Sequence, residues 1–183
     1  LTKVLGLIGS PRVDGNTTKL VNAILEGAAE NGAETKVYNL SRLDLNPCKG
    51  CMTCKIDGKC VIDDDMQQLY DEIQEADAVV LGSPLYMWEV TAQTKLFIDR
   101  LIAFINPDFS TRLKGSKKFV LAYTQGNPDP NTFKQYFDYM EGLFSFIHLD
   151  VRGSIVAANT HAPEDILQQP DILEQAKEIG KSL

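Results

Sequence analysis

The sequence predicts an α/β protein, a doubly wound five-stranded parallel sheet with helices on both faces. Three observations carry that expectation. Short β-branched runs alternate with segments of helical periodicity along the chain. Several of those runs are apolar almost throughout, as in strands covered on both faces. The chain of 183 residues is 44% apolar, enough for one compact core, and no tract rich in Gly, Ser or Pro divides it.

The elements follow in order. Strands are expected at "KVLGLI" (3–8), "ETKVYNL" (34–40), "DAVVLG" (77–82), "KKFVLAYT" (117–124) and "VRGSIVAA" (151–158). A helix over 17–31 places Leu20, Ile24 and Ala28 on one face; another over 66–75 carries Met66, Leu69, Tyr70 and Ile73. A third over 92–105 carries Leu96, Ile98, Leu101, Ile102 and Ile105. Phe133, Tyr136, Phe137, Met140, Phe144 and Ile147 repeat at helical spacing and read as core or subunit contact rather than a cofactor surface. The last helix, 171–182, follows Pro170. The expectation is a single domain over 1–183 with a cysteine-rich loop inserted at about 46–62.

Composition narrows the function. A net charge of −7 repels a phosphate backbone and argues against nucleic-acid binding. No run of about 18 apolar residues would span a bilayer, and the opening segment turns at Gly-Ser-Pro without a cleavage signal, so a cytoplasmic protein is expected.

Ligands of doubly wound sheets gather beyond the carboxyl ends of the strands. The first such loop, "GSPRVDGNTTKL" (9–20), leads into a helix whose N–H groups, with Ser10, Arg12, Asn16, Thr17 and Thr18, would surround a phosphate. It matches neither a dinucleotide fingerprint nor a Walker loop, and a monophosphate fits it best. Simple helix capping by Asn16 and Thr17 is the bland alternative. The loop after the third strand, "GSPLYMWEVTAQTK" (82–95), gathers Pro84, Leu85, Tyr86, Met87 and the sole tryptophan, Trp88. Such side chains suit a planar ring such as isoalloxazine, or a subunit contact. Thr124, Gln125 and Gly126 would close the third side.

All four cysteines fall within "CKGCMTCKIDGKC" (48–60), spaced C-x2-C-x2-C-x5-C. In a reducing compartment such clustering points to metal binding or redox chemistry rather than disulfides. Zinc favours two separated knuckles, which leaves a cluster or metal-free thiols as the stronger readings. Lys49, Lys55 and Lys59 make the loop basic. His148 and His161 read as ordinary structural histidines, and Asp63, Asp64 and Asp65 as acids favouring a helix N-terminus.

The phosphate-type loop, "CKGCMTCKIDGKCVIDDDM" and "ADAVVLGSPLYMWEVTAQTKLFIDR" together resemble the iron-sulfur flavoprotein family, a branch of the NADPH-dependent FMN reductase relatives of flavodoxin. The likeness spans residues 3 to about 105, and "TQGNPDPNT" is poorer in glycine than the third flavin loop of that group. It implies a flavodoxin-like fold and FMN held at the three loops. It implies Cys48, Cys51, Cys54 and Cys60 as ligands of a [4Fe-4S] cluster, and association as a homodimer or homotetramer. Electrons would pass from a ferredoxin-like carrier, or from NAD(P)H, to a small-molecule acceptor. The nearest alternative is a cluster-free NAD(P)H-dependent FMN or quinone reductase; from another class, a non-catalytic redox sensor.

Overall fold

The computed structural model describes residues 1–183. Its strands are β1 (Lys3–Ile8), β2 (Glu34–Asn39), β3 (Ala78–Tyr86), β4 (Glu89–Val90), β5 (Lys118–Thr124) and β6 (Asp150–Ala157). Five of them form a parallel sheet in the order β2-β1-β3-β5-β6, and β4 folds back antiparallel on β3. Counting only the five parallel strands, this is the 2-1-3-4-5 order of flavodoxin-like folds, with its reversal of direction between β1 and β3.

The helices are α1 (Asn16–Glu30), α2 (Thr53–Asp57), α3 (Met66–Glu75), α4 (Ala92–Arg100), α5 (Lys134–Phe146) and α6 (Pro170–Lys181). The short α2 lies inside the cysteine loop, where no helix was expected. The helix expected over 92–105 is α-helical only to Arg100, then tightens into a 3-10 turn over Leu101–Phe104. The change comes where the Arg100 carbonyl accepts the Tyr70 hydroxyl at 2.8 Å.

Alternation along the strands builds two cores. Leu5, Leu7, Val79, Leu81, Phe119, Leu121 and Tyr123 face α3, α4 and α5. Val4, Ile8, Ala78, Val80, Val120 and Ala122 face α1 and α6. The aromatic stripe of α5 belongs to the first core, with Phe144 stacked 4.3 Å from Phe119 and Phe137 4.4 Å from Tyr123.

Helices α1 and α6 meet almost backbone to backbone. A Cβ at Gly180 would lie 1.9 Å from the Ile24 carbonyl oxygen, and one at Gly27 would lie 2.0 Å from that of Lys177. No rotamer relieves a clash with backbone, so the helices must part. Gly180→Ala is expected to cost about 1–3 kcal/mol through overpacking, read as a lower urea midpoint. An unchanged midpoint would mean that the helices slide apart without loss.

Candidate functional site

Loops at the carboxyl ends of the strands enclose a cavity of 230 Å³ at the β1/β3 reversal. It is lined by Ser10, Arg12, Asn16, Thr17, Pro84, Leu85, Tyr86, Thr124, Gln125, Gly126, Thr160 and His161. At one end lies the start of α1. Its N-cap is Gly15, which brings no side-chain acceptor, and the first turn holds no acid. The N–H groups of Asn16, Thr17 and Thr18 therefore have no acceptor within the chain. With Arg12 beside them they form a site for an anion.

The loop is fixed by its surroundings. A Cβ at Gly9 would fall 1.8 Å from Thr94 Oγ1, so only glycine lets the turn rest on α4. The Gly9 carbonyl accepts from Thr91 Oγ1 and Gln93 Nε2, each at 2.6 Å. Thr17 and Thr124 share a buried hydroxyl bond of 2.7 Å, joining the first loop to the third. Gln125 donates through Nε2 to the Asn127 and Asp129 carbonyls, at 3.1 and 2.8 Å. Its buried Oε1 is left without a donor. The cavity thus offers N–H groups at one end, and Gln125, whose Oε1 lacks a donor, lines its wall. Those are the partners wanted by a ligand with a phosphate and hydroxyl groups, and the residues present fit FMN.

Side chains within the expected set divide by task. The Asn16 side chain lines the cavity and is held from the β6 side: its Nδ2 donates to the Ala162 carbonyl at 2.7 Å and its Oδ1 accepts from the Ile166 N–H at 3.0 Å. It clamps the segment after β6 to the first loop. Thr18 lies outside the lining, with its hydroxyl 3.4 Å from the Arg12 carbonyl. Strand β3 runs on to Tyr86, so "GSPLYMW" is less a loop than the arm of a hairpin. Met87 and Trp88 form its tip at positive φ, 49° and 70°, and point outward, 95% and 76% exposed. They stand outside the cavity lining.

The cysteine loop is held firmly at its flanks. Asp64 accepts from Arg100 Nη1 and Nη2 at 2.7 and 3.0 Å, and from the N–H groups of Asn46 and Met66 at 2.9 and 3.1 Å. Both side chains of this pair are buried. Burial alone would raise the Asp64 carboxyl, but Arg100 and the two N–H groups outweigh it and hold it below the ordinary carboxylate range. Of the three expected helix-start acids, Asp64 does bond the first turn of α3, yet its main partner is Arg100. Lys55 donates to the Ile102 and Ile105 carbonyls, and Arg112 to those of Cys54 and Ala103.

Within the loop the four thiols are free; Cys48 and Cys51 are exposed, Cys54 and Cys60 partly buried. Hydrogen bonds from the Thr53 N–H and hydroxyl hold the Cys51 thiol below its usual range, and Lys49 adds to the effect. Four thiols among basic groups suit a thiolate-bound iron-sulfur group in donor chemistry. In position they do not: no three Cys, His, Asp or Glu side chains are gathered to hold a metal, which departs from the expected ligand set.

A family model described as NADPH-dependent FMN reductase matches residues 2–128. The chain belongs to this family. The NADPH-dependent FMN reductases are flavin-dependent oxidoreductases, and the phosphate-type loop, the β3 arm and the Thr124–Gly126 turn all lie inside the matched stretch. An iron-sulfur flavoprotein of Methanosarcina thermophila is 30% identical over 97% of this chain and 93% of its own length. One of Methanocaldococcus jannaschii is 49% identical over 54% of this chain, a match spanning 51% of that relative. These place the chain in the iron-sulfur flavoprotein branch of the FMN reductase family. An NAD(P)H:quinone oxidoreductase from Methanothermobacter marburgensis shares the fold, with a TM-score of 0.80 at 17% identity over 99% of this chain and 96% of that one.

Two lining residues escaped the sequence reading of this FMN reductase relative. Thr160 donates to the Gln125 carbonyl at 3.0 Å, and His161, set aside as an ordinary histidine, lies against Gly126 while its carbonyl accepts Arg12 Nη1 at 2.8 Å. Both follow β6, so the carboxyl-end rule would have reached them, but "NTHAPED" carries no motif of its own.

Proposed function

We propose that this protein binds FMN in the cavity at the β1/β3 reversal and passes electrons between that flavin and a [4Fe-4S] cluster ligated by Cys48, Cys51, Cys54 and Cys60. The observation that carries the flavin half is the set of N–H groups at the start of α1 without an acceptor in the chain, at one end of a cavity that Arg12 and Gln125 also line. Arg12 and the α1 N–H groups bind the phosphate; Gln125 and Thr124 orient the hydroxylated chain; Pro84, Leu85 and Tyr86 border the ring. When bound, FMN supplies hydride and single-electron chemistry, so no protein acid or base is needed in the cavity. Support for the cluster half comes from the donor set, the basic groups around it and the names of the similar iron-sulfur flavoproteins.

The second reading, a cluster-free NAD(P)H-dependent reductase, is favoured by the dispersed positions of the four thiols. Association of copies fits either reading. Met87 and Trp88 project next to an apolar groove of 510 Å³ that Val90, Ile98, Tyr136 and Met140 help to line, and a homo-oligomer would cover both.

Anaerobic preparations are expected to hold one FMN and about four irons per chain. Cys54→Ser should lose or degrade the cluster while FMN stays bound, because the flavin contacts lie on other loops. Electron uptake from a one-electron carrier should fall, and reduction of FMN by a chemical donor should survive. Iron-free protein whose full activity ignores Cys54→Ser would leave the cluster-free reductase.

A further inference from the structure

A second cleft, of 420 Å³, opens beside the flavin cavity, and His161 is the one residue that lines both. The cleft is mostly polar: Asn159, Asp165, Gln168 and Gln169 bring amides and a carboxylate to its wall. His161 is pinned through its backbone from two directions. Its N–H donates to Asp165 Oδ2 at 2.8 Å, and its carbonyl accepts Arg12 Nη1 at 2.8 Å. The residues on either side are held as well: the Thr160 N–H reaches the Gln125 carbonyl at 2.9 Å, and the Ala162 carbonyl accepts Asn16 Nδ2 at 2.7 Å. The imidazole lies on the third loop, where a Cβ at Gly126 would fall 2.8 Å from its Cε1. The ring thus stands as a partition between cavity and cleft, beside Arg12 and the start of α1.

We propose that His161 is a specificity-determining residue: its imidazole closes the phosphate end of the flavin cavity, so that the site takes a flavin ending in a phosphomonoester and turns away a flavin dinucleotide. The inference deepens the FMN reading and rests on it. FMN stops at its phosphate, whereas FAD continues through a second phosphate to adenosine. With the first phosphate at the α1 N–H groups and Arg12, that extension runs past His161 towards the polar cleft. The ring stands in its path. Asp165 adds a second obstacle, because its carboxylate lines the cleft beyond the ring and repels a second phosphate. Both obstacles act on the larger ligand alone, which is discrimination by exclusion. The contacts that hold this wall to the first and third loops come from the backbone of 160–162, so the His161 side chain can be exchanged without loosening them.

The test is calorimetric titration of the full chain, freed of flavin, with FMN, FAD and riboflavin. The parent should prefer FMN to FAD. In His161→Ala, FAD should bind roughly ten- to a hundredfold more tightly than in the parent, the scale of a relieved steric clash. FMN should shift by no more than about twofold, as for a surface substitution. His161→Phe restores a ring without its nitrogens and should keep the parent's preference. An FMN-to-FAD ratio unchanged in His161→Ala would overturn the proposal, as would a phenylalanine variant that admits FAD as readily as the alanine one. Riboflavin separates this inference from the reading beneath it. A parent that binds riboflavin as tightly as FMN has no phosphate site at this end, and the role of His161 falls with that reading. A parent that prefers FMN to riboflavin and yet takes FAD equally well overturns the role of His161 alone.

Discussion

FMN should bind this protein roughly a hundredfold more tightly than riboflavin, because two charge-assisted hydrogen bonds contribute about 3 kcal/mol or more and each 1.4 kcal/mol is tenfold. The phosphate is the only difference between the two ligands, so the comparison isolates the first loop. Its donors are the N–H groups of Asn16 and Thr17, unclaimed by any acceptor in the chain, and the Arg12 guanidinium. Arg12 is exposed and already shares Nη1 with the His161 carbonyl, so Arg12→Ala should cost FMN only about tenfold and riboflavin almost nothing. Titrations followed by flavin fluorescence check both. Equal affinities for FMN and riboflavin would remove the phosphate from this loop.

Asp64→Asn should destabilise the fold by about 3–5 kcal/mol, since it leaves the Arg100 guanidinium buried without its counter-charge. The pair also makes a pH signature. Asp64 has a folded-state pKa below its ordinary value, so the unfolded chain binds its proton first as pH drops. The contribution is complete above the unfolded value of about 3.9 and is lost as pH falls through the lower folded value. Urea midpoints of the two proteins should differ widely at pH 7, and the gap should shrink well below pH 4. A gap that is small at neutral pH, or constant through acid, would deny the pair its role.

The sheet was legible because its signals are local and redundant. Leu5 and Leu7 against Val4 and Ile8, or Val79 and Leu81 against Ala78 and Val80, commit each strand to two buried faces, and only a sheet layered between helices satisfies both. The end of the cavity at the start of α1 was legible for a similar reason: a strand, a glycine turn and a helix start lie consecutively in the sequence. The hairpin was not, because its tip uses Met87 and Trp88 at positive φ where Asn or Gly would have announced a turn. The side-chain partners of Asn16 were not legible, since Ala162 and Ile166 lie about 150 positions away and nothing local reveals them. A separation of 36 positions likewise hides Arg100 from Asp64, whose neighbours in sequence advertise only a helix start.

The Asp64 clasp has a consequence for engineering. Because the Asn46 N–H and the Asp64 carboxylate meet at 2.9 Å, the chain leaves the body and returns to it at nearly one point. The cysteine stretch is therefore a cassette: the contacts closing its mouth come from residues outside the cysteine run. A graft that preserves Asn46, Asp64 and Arg100 while exchanging residues 48–60 for another thiol pattern should leave the sheet, the flavin cavity and both cores undisturbed. This fold can thus serve as a chassis on which different sulfur chemistries are mounted without rebuilding the sheet.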